Sequence, residues 1–515
     1  MSRMIAILLS GLIISGCLKS MIEREVTEIG RSQQKVHLRD GAVVKAHCPD
    51  GRVYLFSSWQ VVDSLRWLEG TATVFDINRD TISTGPVRVP YDSIALIESN
   101  TEAPSRMTPL AGLTVLTGVT IAGAIYCISN PKACFGSCPT FYAWDGNEWA
   151  LQAEGFSASI APALERTDVD PISPRIPREP TLILQVRNEA AETQVLRSVR
   201  LLVVPHLQGE RVFKTPDEGF LRAQLVGSLQ RAKAESGDLT RTLQEADGVE
   251  YLGYADSTGL ASKELLEMEF ADVPDGPLGL VVTHRQSLMT TFLLYQTLAY
   301  MGSSAGYWLA ELGRGGGEAA ARAEGCGEIL GSIDVCVSSG GGWVLEGSVG
   351  ETGPIAMEET VVPLPHALSH RGTLRLAIRM TRGYWKIDRV ALARLVGPAA
   401  VHAVGTPLAT SLGNDELPPG AMWDFARGPL VLLPGDVYAL SFEHNQSGEY
   451  EMFLESRGYY LEWMRKEWML EEDPAMVAQV LFDPERYLRD LAPAYKRAEA
   501  SMEEAFWNSR VRRIP

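Results

Sequence analysis

A mainly β fold is expected: a small antiparallel barrel-like module, then a jelly-roll-like sandwich body with a helical insertion and a helical C-terminal tail. Three observations carry this. Short segments of alternating apolar and polar residues, such as Thr181–Glu189 and Gln194–His206, recur through most of the chain. Turn dipeptides, Asp40-Gly41, Asp145-Gly146 and Asp275-Gly276 among them, separate such segments. The pattern changes to a helical period at 287–324 and again in the tail from 457.

The chain of 515 residues is 45% hydrophobic, so it can bury a large core without depending on disulfides. Its formal net charge of -17, with no long basic run, argues against nucleic acid as a partner, because phosphate binding needs clustered Lys and Arg. The basic stretch Arg510–Arg513 reads as a solvated chain end.

Residues 1–16 have the form of an export signal. Arg3 supplies the positive start, and Met4–Ile14 is apolar but too short to span a membrane. The segment runs into Ile14-Ser15-Gly16-Cys17, which resembles the lipobox of bacterial lipoproteins. That resemblance implies cleavage before Cys17, a diacylglycerol thioether on its sulfur, and acylation of its amino group. Several acyl chains hold a soluble body on a membrane where one holds weakly. Leu18 follows, not the Asp that retains lipoproteins in the inner membrane, which favours the outer membrane, facing the periplasm.

Residues 17–35 are polar and read as a tether. Residues 36–100 give about five strand candidates, enough for a curled sheet. Residues 108–129 carry no charge, are rich in Gly, Ala and Thr, and are long enough to cross a hydrocarbon core of about 20 apolar residues. A spanning helix, a membrane-apposed helix and a helix packed on the protein all fit. Residues 137–456 then read as the sandwich, in two sub-domains with the helical insertion at 287–324, and 457–515 as the tail. In the tail, Tyr487, Leu488, Leu491 and Tyr495 fall on one helical face.

Ser137-Cys138-Pro139, Asp145-Gly146, Glu154-Gly155 and Leu164-Glu165-Arg166-Thr167-Asp168 follow the hydrophobic segment, and Arg382–Leu392 and Ser456–Trp463 come later. Together these resemble a group of uncharacterised exported bacterial lipoproteins. The resemblance covers most of the chain after Ser137 and implies no activity.

The candidate sites are few. If Cys17 is lipidated, six cysteines remain for an oxidising compartment. Cys134 and Cys138 could close a tight loop, either could pair with Cys127, and Cys326 with Cys336 could close a longer one. Glu165, Asp168 and Asp170 are dense enough to offer oxygens to calcium, although a solvated, salt-bridged loop explains the same letters and no EF-hand spacing is present. Gly302-Ser303-Ser304-Ala305-Gly306 matches the nucleophile-elbow pattern, but a helical-looking stretch precedes Ser304 where a strand is required. His366 and His370 lie in a proline-marked loop, which disfavours a ligand pair. Tyr384-Trp385 and Tyr459-Tyr460-Trp463 are either core or a sugar-stacking surface. No cofactor is expected. The reading is a membrane-anchored envelope lipoprotein that binds a protein or a glycan, held by its lipid, with the 108–129 helix as a second candidate membrane contact. The alternative is an envelope hydrolase, using Ser304 or a pair of carboxylates as in glycosidases.

Overall fold

The computed structural model describes residues 21–28, 36, 38, 41–48, 52–62, 66–75, 81–94, 96–103, 138–190, 192–302, 305, 308, 325–367, 372–404, 408–412, 420–462, 473–508 and 510. Cys17, residues 108–129, Cys127, Cys134, Ser304, His370 and Trp463 lie outside them. Among the described residues, no helix is long and apolar enough to cross a membrane. The protein is mainly β and forms two compact units, one built on the strands of 21–103 and the other on those of the later chain.

The first unit is the barrel-like module. Its six antiparallel strands run, across the sheet, Met21–Glu28, Leu96–Ala103, Val43–His47, Val53–Val62, Trp67–Phe75 and Thr81–Pro90. Alternation puts Val44, Ala46, Phe56, Leu68, Ala72 and Ile97 on one buried side. The expected tether is corrected here, because Met21–Glu28 is a strand paired residue for residue with Leu96–Ala103. It sits at the sheet's edge.

The second unit holds four further sheets. The Asp145-Gly146 turn forms as expected. Thr140–Trp144 pairs with Trp149–Glu154, Gly146 takes φ +102°, and Asp145 Oδ1 accepts from the Asn147 and Glu148 amides at 2.8 Å each. The Asp275-Gly276 turn behaves differently. The strands it joins, Lys263–Ala271 and Leu278–Gln286, enter different sheets, which corrects the hairpin expected there. Lys263–Ala271 alternates between buried and accessible positions, whereas all nine residues of Leu278–Gln286 are buried. A strand covered on both faces belongs in the middle of a sheet, and Leu278–Gln286 lies between Glu358–Pro363 and Trp385–Pro398.

Two of these sheets position the site described below. One has Tyr450–Glu462 between Glu192–Pro205 and the edge strand Arg166–Ile172. The other contains Arg211–Lys214 alongside Glu358–Pro363, in a parallel contact. Leu202, Val204 and Phe453 of the first sheet pack on Val212 of the second, and Phe453 meets Phe220 edge-on at 4.7 Å.

Helix α1 spans Met289–Met301, inside the expected insertion. The tail begins later than expected, since Tyr450–Glu462 is one continuous strand. It contains α2, Pro474–Phe482, and α3, Pro484–Asn508. The predicted apolar stripe of α3 is buried: Tyr487, Leu488, Leu491 and Tyr495, continued by Ala498, Met502 and Phe506. Tyr495 meets Phe292 of α1 at 5.2 Å. Glu503, near the end of α3, bonds both Arg285 and Lys386, and each of these also bonds Glu250. The tail is therefore fixed by apolar packing and by a largely buried charge network.

Candidate functional site

Asp168 and Asp170 are two apart on the edge strand Arg166–Ile172, so their side chains leave the same face. There they meet Glu358, the first residue of Glu358–Pro363. The three carboxylates each offer an oxygen within 4.8 Å of the others. Glu165, one residue before the strand, does not join them. It accepts from the Arg197 guanidinium and from Arg457 Nε at 2.7 Å, as in the salt-bridged alternative.

Lys214, at the end of Arg211–Lys214, is the cation in this cluster. Its Nζ lies 2.8 Å from Glu358 Oε2 and donates to the Val169 carbonyl at 2.6 Å. One ammonium thus faces three carboxylates. Asp170 is 2% exposed, and its Oδ2 has no hydrogen-bond donor. Burial, then the charges of Asp168 and Glu358, push the Asp170 carboxyl well above the carboxylate range. Burial also raises Glu358, against the pull of Lys214. Burial would lower Lys214, but Glu358, Asp168 and Asp170 outweigh it and the ammonium is held charged. His284, opposite Glu358 in the strand register, is fully buried; burial and then Lys214 push it down to about 3, so it stays neutral. Its Nε2 lies 3.3 Å from Thr360 Oγ1.

Glu358 also lines a cavity of about 250 Å³, with Arg211, Glu359 and Glu451 as its other charged walls. Arg211 donates to Glu451 Oε1 at 2.8 Å and to Glu359 Oε2 at 3.1 Å, and Arg389 donates to Glu359 Oε1 at 2.5 Å. Such paired groups form a fixed set of donors and acceptors whose hydrogen-bonding directions are set before anything binds.

The other sequence candidates fall elsewhere. Cys138, Cys326 and Cys336 are free thiols, so the expected Cys326–Cys336 bond is not made. Cys336 is in mid-strand, opposite Leu345 on one side and Ala377 on the other, with its side chain in the core. Cys138 is buried beside Glu154, and burial followed by the charge of Glu154 pushes its thiol well up. His366 Nδ1 lies 3.4 Å from Glu346 Oε2. Tyr384, Trp385, Tyr459 and Tyr460 are all buried, as core packing requires.

Glu154 is another buried acid. It accepts from the amides of Ile355 at 2.6 Å and Ala356 at 3.3 Å, and burial pushes it up to about 7 despite those bonds. The folded state therefore holds a proton that the unfolded chain gives up near 4.5. Its contribution is fully present below about pH 4.5 and is lost as pH rises through 7. Glu154→Gln should remove this loss. In urea titrations the variant is expected to gain roughly 2–3 kcal/mol on the wild type between pH 5 and pH 8, at about 1.4 kcal/mol per pKa unit. A constant difference between the two proteins across that range would rule out the assignment.

No family model matches the chain, and no curated protein matches it. A crystal structure of the GH31 alpha-xylosidase from Xanthomonas citri aligns with 84% of this chain and 38% of its own, at 8% identity and a TM-score of 0.14. The aligned part is thus well under half of that enzyme's chain, and the similarity is too low to establish a common fold.

Proposed function

We propose that the chain is an exported lipoprotein of the bacterial cell envelope, anchored through acyl groups on Cys17 to the outer membrane and facing the periplasm, whose β-rich body binds a protein or a glycan. The observation that carries the anchoring is the succession Arg3, apolar Met4–Ile14 and Ile14-Ser15-Gly16-Cys17. Binding rather than chemistry is supported by the way the charges around the cavity are spent. Arg211, Arg389 and Lys214 each bond a carboxylate, and the neighbouring imidazole, His284, is buried and neutral. General acid–base work needs a group that both reaches substrate and titrates near the working pH, and Glu154, pushed up to about 7, is 2% exposed and engaged by the Ile355 and Ala356 amides. A prearranged array of forks and carboxylates suits recognition of hydroxyls or peptide groups.

The test is mass spectrometry of the membrane fraction. The mature N-terminal peptide should begin at an acylated Cys17, and Cys17→Ala should move the protein out of the membrane fraction or leave it unprocessed. Recovery of mature protein that still begins at Met1 defeats the proposal.

A further inference from the structure

We propose that Asp168, Asp170 and Glu358 form a binding site for a divalent cation of the calcium type, in which Lys214 is the built-in counter-charge that the ion displaces. The proposal concerns the body of the protein and stands apart from the lipid anchor.

The first support is an imbalance of charge. Two of the three carboxylates are almost fully buried, Asp170 at 2% and Glu358 at 3% exposure, and Lys214 supplies one positive charge against all three. Burying carboxyl groups without a partner is costly, and three of them share the one ammonium, so the cluster can take a further cation in exchange for a proton. The second support is the orphan oxygen. Asp170 Oδ2 is buried without a donor, in the cluster where its carboxylate lies within 4.8 Å of the other two. The ammonium bonds Glu358 and the Val169 carbonyl instead.

The donor set chooses the ion. Every available ligand is oxygen: three carboxylates, with the Val169 carbonyl beside them once Lys214 withdraws. Calcium accepts such irregular sets, taking carboxylates singly or bidentate together with carbonyls and water. Magnesium demands a near-ideal octahedron and keeps its water, and zinc favours nitrogen and sulfur. The nearby imidazole of His284 meets Thr360 through Nε2 and is not among the groups whose ligand atoms lie within 4.8 Å of one another. Asp168 is half-buried, which gives the ion a way in and room for a water ligand. The Asp-x-Asp spacing on a strand supplies two ligands on one face, and the neighbouring sheet supplies the third.

The experiment is calorimetric titration of the full chain in detergent with calcium chloride after removal of metal by a chelator, with magnesium chloride as the comparison and thermal unfolding in parallel. Saturable calcium binding is expected, stronger than magnesium binding and accompanied by a rise in Tm of several degrees. Asp168→Asn, at the half-buried ligand that the fold needs least, should weaken binding by roughly tenfold or more, and Lys214→Met should strengthen it by a similar factor, because a competing unit charge is removed. If neither the wild type nor Lys214→Met binds calcium, or if Asp168→Asn binds as the wild type does, the site does not exist. Thermal unfolding of each variant without metal identifies any that fails to fold. Should Asp168→Asn prove to be such a variant, the wild-type and Lys214→Met titrations decide by themselves.

Discussion

Arg285→Ala should destabilise the body by about 3–5 kcal/mol, the loss typical of removing one partner from a buried ion pair. The Arg285 side chain is 9% exposed. Its guanidinium bonds the Glu250 carboxylate through two nitrogens, with Nη2 to Oε2 at 2.6 Å, bonds Glu503 on α3, and donates Nη1 to the Pro354 carbonyl at 2.5 Å. Removing it leaves Glu250 and Glu503 facing each other with only Lys386 between them. The loss has a direction as well as a size. Glu503 is where α3 is tied by ion pairs to the sheets, beside the Glu499 carboxylate that accepts from the Ala255 amide, so the helix should loosen before the sheets do. Trypsin should then cut within α3, at Arg489 or Arg497, faster than at Arg379 in the strand core, under conditions where the wild type resists at all three. Arg285→Lys keeps the charge but not the two-pronged geometry, and should recover only part of the stability. Equal protection of α3 in the wild type and Arg285→Ala would show that the apolar face of the helix holds it alone.

Much of the fold was legible because its cause is local. Alternation along Thr181–Arg187 and Lys263–Ala271, the Asp145-Gly146 turn, and the helical stripe from Tyr487 to Tyr495 are each visible within a dozen residues. What depended on pairing over long distances was hidden. Nothing within Met21–Glu28 announces a strand, because its partner Leu96–Ala103 makes it one. Leu278–Gln286 looks like one arm of a hairpin, and only its unbroken burial places it in the middle of another sheet. The site followed the same rule. Asp168 and Asp170 stood out as neighbours in sequence, but Lys214 and Glu358, which complete the cluster, lie far along the chain on strands that alternation alone cannot bring together. Glu165 was drawn into the candidate set by proximity in sequence, and it turns instead to Arg197 and Arg457. Two Arg-Gly-Tyr segments, at 382–384 and 457–459, had no local explanation. The structure supplies one for each glycine. Gly383 takes φ +74° with Ala255 against it, and Gly458 lies under a neighbouring carbonyl.

Gly458→Ala is expected to be among the most damaging small substitutions in the body. Gly458 lies inside Tyr450–Glu462, opposite Leu196 on one side and Arg166 on the other, where the Glu192–Pro205 strand makes a bulge between Leu196 and Ser198. Its φ is not in the left-handed region, so the demand is for space. A Cβ built there would stand 2.2 Å from the Val195 carbonyl oxygen and 2.8 Å from Phe156 Cζ. Neither neighbour has an easy retreat. Val195 is paired on both sides, with Tyr459 and with Val431, and Phe156 is 1% exposed. Overpacking a core costs about 1–3 kcal/mol where side chains can shift. Here a main-chain oxygen must move and its ladder hydrogen bonds must distort, so a loss at or above about 3 kcal/mol is expected in urea unfolding. The two clashes can be separated. Phe156→Leu removes the aromatic contact and leaves the carbonyl in place. If the carbonyl sets the cost, adding Phe156→Leu to Gly458→Ala should recover little of the loss. A double variant as stable as Phe156→Leu alone would instead put the whole clash on the ring. The same close approach explains why the Tyr450–Glu462 strand can run past the bulge without breaking, with Tyr459 and Tyr460 still directed into the core on either side of the sheet.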